Sequence, residues 1–365
     1  MRAFLMLTAS GLCALAVQTA QADDKVLNLY AWADYFPEPV LTAFEEKTGI
    51  DVRYDIFDSN STLEAKLTAG SSGYDVVVPN ASPHLARQIP IGLYQALDRS
   101  KLANYQNLDA TLLATLATAD PGNRFAVPWM WGSTGLGYDR KAVLARIPDA
   151  PFDSLALLFD PANAAKLADC GINIIDSANE VIPAALMYLG RPPYSTDPAD
   201  LAAAKGVLMK IRPYVKTITT SGYPDRLADG EICFVLGYSG DMFNAAARAK
   251  ETGRVADIGY SVPREGIIAW IDTLAIPADA PHADSAYAFI DFMLAPENAA
   301  AATNLVNYAN ANAAATPLVK PEIRDNPGIY PPDEIKQHLT LSPELAPEHE
   351  RALNRLWSDF VNNAS

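Results

Sequence analysis

The sequence is poor in the residues that carry most enzyme chemistry. Of 365 residues only four are histidine and three are cysteine. His84, His282, His338 and His349 stand far apart, without the spacing of metal ligands, and read as surface or loop residues. No G-x-S-x-G elbow, G-x-G-x-x-G turn or P-loop occurs; Gly237-Tyr238-Ser239-Gly240 has the wrong spacing for a nucleophile. Basic residues are also scarce. Lys and Arg number 28 against 43 Asp and Glu, a net charge of −15, which argues against nucleic acid because phosphate contacts need cationic excess. Beyond the N-terminus there is no apolar run of membrane-spanning length, no internal repeat and no low-complexity tail.

What is present is a chain that folds. Half of it is hydrophobic and 19% is charged, a balance that excludes intrinsic disorder, and the length suggests about two domains. Met1-Arg2, the apolar run Ala3 to Val17 and Ala20-Gln21-Ala22 have the order of a secretory signal peptide over residues 1–22, with a mature start at Asp23. Cys13 falls in its apolar region, but Ser10-Gly11-Leu12 is a poor lipoprotein signal, so a soluble exported protein is expected. The remaining cysteines, Cys170 and Cys233, are most simply a disulfide in an oxidising compartment, worth roughly 4 kcal/mol by chain entropy; two unrelated buried thiols are the alternative.

The mature chain alternates strand and helix signals. Val26–Tyr30, Ile50–Ile56, Asp75–Pro79, Ile232–Gly237 and Ile268–Ile276 read as strands. Glu38–Lys47, Leu201–Ile211 and Gly240–Lys250 read as helices, as does a stretch capped by Ser61 with Glu64 in a capping box. Short connections between such units argue for a doubly wound, mainly parallel α/β sheet. Arg124 to Tyr138, rich in Gly and Trp, is a candidate crossover between domains, and Glu348–Phe360 is an amphipathic helix docked by Leu353, Leu356, Trp357 and Phe360.

Carboxylates recur among aromatics. Trp32-Ala33-Asp34-Tyr35 follows the first strand, Tyr238-Ser239-Gly240-Asp241 follows another, Trp270 and Asp272 share a face of a third, and Asn307-Tyr308 precedes a helix break. Ligands of open α/β sheets bind beyond the carboxyl ends of strands. Rings covering a methylene stem and acids neutralising its ends suit an alkyl ammonium. Any one such cluster has a plainer reading, a core ring beside a turn aspartate; several in one exported chain shift the balance.

These segments, with Tyr74-Asp75-Val76-Val77-Val78-Pro79-Asn80-Ala81-Ser82, Asp120-Pro121-Gly122-Asn123, Cys170-Gly171, Tyr308-Ala309-Asn310-Ala311-Asn312, Ala315-Thr316-Pro317-Leu318-Val319 and Asn326-Pro327-Gly328-Ile329-Tyr330-Pro331, resemble the periplasmic polyamine-binding proteins of ABC transporters, the putrescine type most. The resemblance runs from Asp23 to about Phe360. It implies a two-lobed periplasmic-binding-protein fold of type II, each lobe a mixed, mainly parallel sheet flanked by helices, closing over a ligand in the cleft. The lobes are expected at 23–132 and 266–310 for the first, 133–265 and 311–365 for the second. The resemblance implies a cleft lined by Trp32, Asp34, Tyr35, Ser82, Glu180, Tyr238, Asp241, Trp270, Asp272 and Tyr308, and it supports the Cys170–Cys233 pairing. Asp34, Asp241, Asp272 and Glu180 would read ammonium ends, and Trp32, Tyr35, Tyr238, Trp270 and Tyr308 would sandwich the carbon chain.

The chain departs from that family at Ala33, where Ser or Thr is usual. Trp270 stands where spermidine binders favour Trp, whereas Asp34 fits the putrescine type. The implied function is a monomeric, cofactor-free periplasmic binding protein that delivers putrescine to an inner-membrane ABC permease. A spermidine-preferring binder, a polyamine sensor feeding a receptor, or, more remotely, an exported amine-acting enzyme are the rival readings.

Overall fold

The structure, a computed structural model, describes residues 25–363 apart from Asp34 and residues 333–338. The expected signal peptide and His338 lie outside the described residues.

Among the described residues eleven strands form one continuous mixed sheet: β1 (Val26–Trp32), β2 (Asp51–Phe57), β3 (Val76–Val77), β4 (Ala126–Asp139), β5 (Ile172–Ile174), β6 (Val215–Ile218), β7 (Phe234–Tyr238), β8 (Ile258–Ser261), β9 (Ile267–Ala275), β10 (Ala309–Asn310) and β11 (Leu339–Leu341). The main order is β2-β1-β3-β9-β4-β7-β5-β6, with β8 and β10 on β4 and β11 on β9. β1 is parallel to β2 and β3, and β5 is parallel to β6 and β7, as strand-helix-strand connections require. β4 is antiparallel to β9, β7 and β8. The expected crossover over Arg124–Tyr138 is a long strand, β4, wholly buried from Ala126 to Asp139, that runs from one hydrophobic core into the other.

The helices that matter below are α1 (Glu38–Thr48), α2 (Asn60–Thr68), α3 (Ala178–Tyr188), α4 (Pro198–Ile211), α5 (Tyr223–Asp229), α6 (Ser239–Glu251), α7 (Ala283–Met293), α8 (Pro296–Val306) and α9 (Pro347–Val361). α1 stops at Gly49, which takes the left-handed conformation (φ 70°) and returns its N–H to Glu45 O. α2 is capped by Ser59, two residues earlier than the expected Ser61, through Thr62 N at 3.1 Å. Glu64 makes no capping box; it accepts Arg87 Nη2 at 2.6 Å and Gln88 Nε2 at 3.0 Å.

Two hydrophobic cores divide the molecule. The first gathers β1 to β3, Trp129 to Trp131, Ile271 to Ile276 and α7 with α8. The second gathers Leu136, Tyr138, β5, β7, α3, α4 and Ile268. The changeover falls between Trp131 and Leu136 on β4 and between Ile268 and Ile271 on β9, so this antiparallel pair joins the two lobes. The expected division put all of 311–365 with the second lobe. Instead Ala311, Ala315, Val319, Ile323 and Ile329 pack into the first core, because β10 pairs with β4 beside Met130 and Trp131. Leu353, Leu356 and Phe360 of α9 join the second.

The disulfide Cys170–Cys233 is present, with Cα atoms 5.5 Å apart, tying the approach to β5 to the approach to β7. The histidines are less superficial than their spacing suggests. His349 is buried in α9, His282 bonds buried Asp75, and His84, pressed between Arg87 and Glu64, has its pKa driven down by burial to about 4.

Candidate functional site

The site lies where β4 and β9 pass from one core to the other. A β-bulge in β4 between Pro128 and Met130 faces Asp272 and Thr273 of β9. Bulges re-aim side chains in this way at functional sites, and Pro128 has no ladder N–H to lose there.

Asp272 is the first of three carboxylates. It is buried, accepts Tyr35 Oη–H at 2.8 Å on Oδ2, and accepts Asn80 Nδ2–H at 3.4 Å on Oδ1. Burial pushes its pKa up to about 7, and the two hydrogen bonds only partly oppose that. Asp241, half-buried in the first turn of α6, accepts Tyr223 Oη–H at 2.5 Å on Oδ2 and Tyr308 Oη–H at 3.0 Å on Oδ1. Glu180, half-buried in the first turn of α3, accepts Thr134 Oγ1–H at 2.5 Å and Tyr238 Oη–H at 3.0 Å. Burial raises the pKa of these two as well, against their hydroxyl partners.

The donors share a character. Tyr35, Tyr223, Tyr238 and Tyr308 are all held protonated, first by burial and then by the neighbouring acid. Every side-chain partner of the three carboxylates is therefore neutral. Among the described residues no Lys, Arg or His pairs with Asp241, Asp272 or Glu180. Three acids converge with no counter-charge, which is costly unless a cation arrives.

Aromatic rings link the acids. Trp270 meets Tyr308 edge-on at 5.1 Å and Tyr238 at 6.4 Å. Tyr308 comes from the first core and crosses to Asp241 of the second. Its ring lies so close over Gly240 that a Cβ there would sit 2.4 Å from it. Trp270, Tyr238, Tyr308, Asp241 and Glu180 are joined by these contacts, and the Asp272–Tyr35 pair lies close enough for its charge to act on Tyr238 and Tyr308.

Four expected residues stand differently. Ser82 abuts the group through its N–H to Asn80 Oδ1, but its own hydroxyl donates to Ser342 O. Trp32 packs edge-on against Phe57 at 4.5 Å, and no contact among the described residues joins it to the three carboxylates. Asp34 lies outside the described residues. Tyr35 is less a ring wall than a hydroxyl donor, since its ring sits in the first core.

Asn80, Thr134 and Tyr223 were not singled out from the sequence. Asn80 lies in a segment quoted for the resemblance. Thr134 and Tyr223 carry no signal of their own, because their acid partners are 46 and 18 residues away. Among the described residues no group of three or more His, Cys, Asp or Glu is placed to hold a metal ion.

Comparison with known proteins adds to this geometry. Residues 40–331 match the family described as bacterial extracellular solute-binding protein. The chain is 47% identical over 358 residues to the putrescine-binding periplasmic protein SpuD of Pseudomonas aeruginosa, covering 98% of this chain and 97% of that one. It is 44% identical to the putrescine-binding periplasmic protein PotF of Escherichia coli, covering 96% and 95%. Among solved structures, the spermidine/putrescine substrate-binding protein PotD of Streptococcus pneumoniae superposes with a TM-score of 0.82 at 28% identity, covering 93% of this chain and all of that one.

Proposed function

This chain belongs to the bacterial extracellular solute-binding proteins, binding proteins rather than enzymes, and on that premise we propose that it captures a polyamine, putrescine foremost. It works in the periplasm as a monomer and hands its ligand to an inner-membrane ABC permease; the names of its relatives support the compartment and the transport role. The lobes follow the two cores and close over the ligand about the β4–β9 pair.

One observation carries the reading: Asp272, Asp241 and Glu180 converge under aromatic cover with only neutral donors. An alkyl diamine supplies what they lack, an ammonium at each end and methylenes between. Its ammonium hydrogens suit carboxylate oxygens, and Trp270, Tyr238 and Tyr308 enclose the stem. Tyr35 and Ser82 stand beside Asp272, directly and through Asn80, at the approach.

Calorimetric titration of ligand-stripped, refolded protein with putrescine and then spermidine tests this. The expected result is tight one-to-one binding of putrescine and weaker binding of spermidine. Preference for spermidine would favour the second reading, which Trp270 supports, since spermidine binders favour Trp at this position. Heat with neither amine overturns the proposal. Transport and sensing are separated by whether the protein stimulates a permease or is pulled down by a receptor ectodomain.

A further inference from the structure

We propose that Tyr223, fully buried behind Tyr238 and Asp241, is the positioning residue that holds Asp241 oriented before any ligand arrives. The inference rests on the cation-binding reading of the site. Tyr223 is the first residue of α5 and is fully buried. Its one oxygen does two things. It donates to Asp241 Oδ2 at 2.5 Å and accepts the backbone N–H of Tyr238 at 3.1 Å. It therefore rivets the end of β7 to the first turn of α6, the two places that present Tyr238 and Asp241. The ring is seated against Gly237, where a Cβ would lie 3.0 Å from the phenolic oxygen, so the close fit depends on glycine at that position.

The other donor to Asp241, Tyr308, belongs to the first core, whereas Tyr223 and Asp241 share the second. When the lobes part, Tyr308 leaves with its lobe and Tyr223 stays. In the open form the carboxylate then keeps its orientation, and part of the stabilisation of its charge, through Tyr223. A preformed acceptor loses less freedom on binding than one that must be ordered by the ligand.

The other ionisable groups around this turn are Tyr238 at the end of β7, Tyr260 on β8 and Tyr308. Asp272 and Glu180 act through those tyrosines, and Asp225 of α5 is occupied by Arg248 of α6 at 2.5 Å. All of these except the Asp225–Arg248 pair are neutral or acidic, so the hydroxyls are the groups that favour the ionised form of Asp241. Loss of the Tyr223 hydroxyl raises the proton affinity of Asp241, and the cation must then compete with a proton at higher pH.

The experiment is Tyr223→Phe in the full mature protein. The putrescine Kd is followed from pH 5 to 9, and the Asp241 carboxyl is titrated by carbon NMR in the ligand-free form. A hydrogen bond to a charged group is worth about tenfold or more in binding. The expected result is a Kd about tenfold weaker at pH 7, a loss that deepens as pH falls, and a carboxyl midpoint moved upward. In an Asp241→Asn background the same change should add nothing. A second variant, 3,5-difluorotyrosine at 223, keeps the fold and donates more strongly, so it should move the midpoint downward. An unmoved midpoint, or a loss equal at every pH, overturns the proposal and leaves Tyr223 a packing residue. If the wild type binds no amine while the midpoint still moves, the positioning role stands and the polyamine reading fails.

Discussion

Asp120 and Asp272 are both buried aspartates of the first lobe, yet they are solvated in different ways. Asp120 accepts three backbone N–H groups, from Arg124, Phe125 and Ala126 at 3.0, 2.8 and 3.1 Å. Asp75 resembles it, with Asn28 N, His282 N and the His282 ring. In the second lobe Asp139 has Arg254 Nη2 at 2.6 Å. Each of these acids is completed by the chain itself and fixes a local turn or strand. Asp272 has one phenol and one long amide contact, and Asp241 and Glu180 have hydroxyls alone as cross-chain partners. Burial in this protein does not by itself mark function. The kind of donor does, because backbone amides and guanidinium groups leave an acid satisfied whereas a few neutral hydroxyls leave it in need of charge.

Asp272→Asn should break the comparison most visibly. Removing the charge from a desolvated ammonium site costs about 2 to 5 kcal/mol, a loss of roughly thirtyfold or more in putrescine affinity. The ligand-free melting temperature should hold or rise, since an unneutralised buried acid is gone. Asp120→Asn should do the reverse, lowering stability by about 1 to 3 kcal/mol while the folded fraction binds putrescine as the wild type does. Calorimetry and thermal melts on the two variants measure both. Equal stability losses with unchanged binding in both would end the distinction.

The next effect is on pH. The folded pKa of Asp272 lies near 7 against an ordinary 3.8, so between those values the folded protein holds a proton that the unfolded chain has released. Its contribution to stability is present below about pH 4 and is lost as pH rises towards 7. Putrescine binds the ionised form, so its affinity should climb by up to about tenfold per unit as pH rises to 7, with proton release. His84 works in the opposite sense, destabilising as pH falls from 6.5 to about 4. The difference between wild type and Asp272→Asn melts therefore isolates the aspartate. Titration heats in buffers of different ionisation enthalpy count the proton, and binding without proton release would contradict the shifted carboxyl.

A smaller change should follow at the rings. Trp270→Ala removes the face between Tyr308 and Tyr238 and should weaken putrescine by about tenfold, the scale of a desolvated cation–π contact. Trp270→Phe keeps a π face and should stay within about threefold. Equal Kd values for wild type, Phe and Ala in calorimetry would show that the acids act without the rings.

Local signals were legible in the sequence where periodicity and punctuation agree. β1, α1 with its Gly49 stop, β7, β9 and α9 fall within a few residues of their expected ranges. β3 shrinks to Val76–Val77, because only those residues of the apolar run pair with β1. The division of cores after residue 310 was not legible, since β10 is two residues long and its pairing with β4 is a tertiary event. Of the aromatic-acid clusters, Asp241, Tyr308, Trp270 and Tyr238 are joined by hydrogen-bond and ring contacts, with Asp272 two residues along β9 from Trp270. Their donors were hidden for a plain reason. A donor reaching an acid 192 or 18 residues away leaves no spacing to read, as with the Asn80 amide for Asp272 and the Tyr223 hydroxyl for Asp241.

The smallest expected effect is that of salt, and it separates the exposed acids of the first lobe from its buried one. Asp51, Asp55 and Asp58 are exposed along β2 and beyond it, while Asp272 is buried. Exposed charges are screened over about 10 Å at 0.1 M and about 3 Å at 1 M, whereas buried ones are screened far less. A putrescine Kd set by the cleft should therefore weaken by less than about threefold between 0.05 and 0.5 M sodium chloride. A steep decline would mean that the cation is held by acids such as those on β2. Asp272→Asn would then leave the affinity nearly intact, so the salt series and that variant must agree if the neutral-donor acids are the ones that bind.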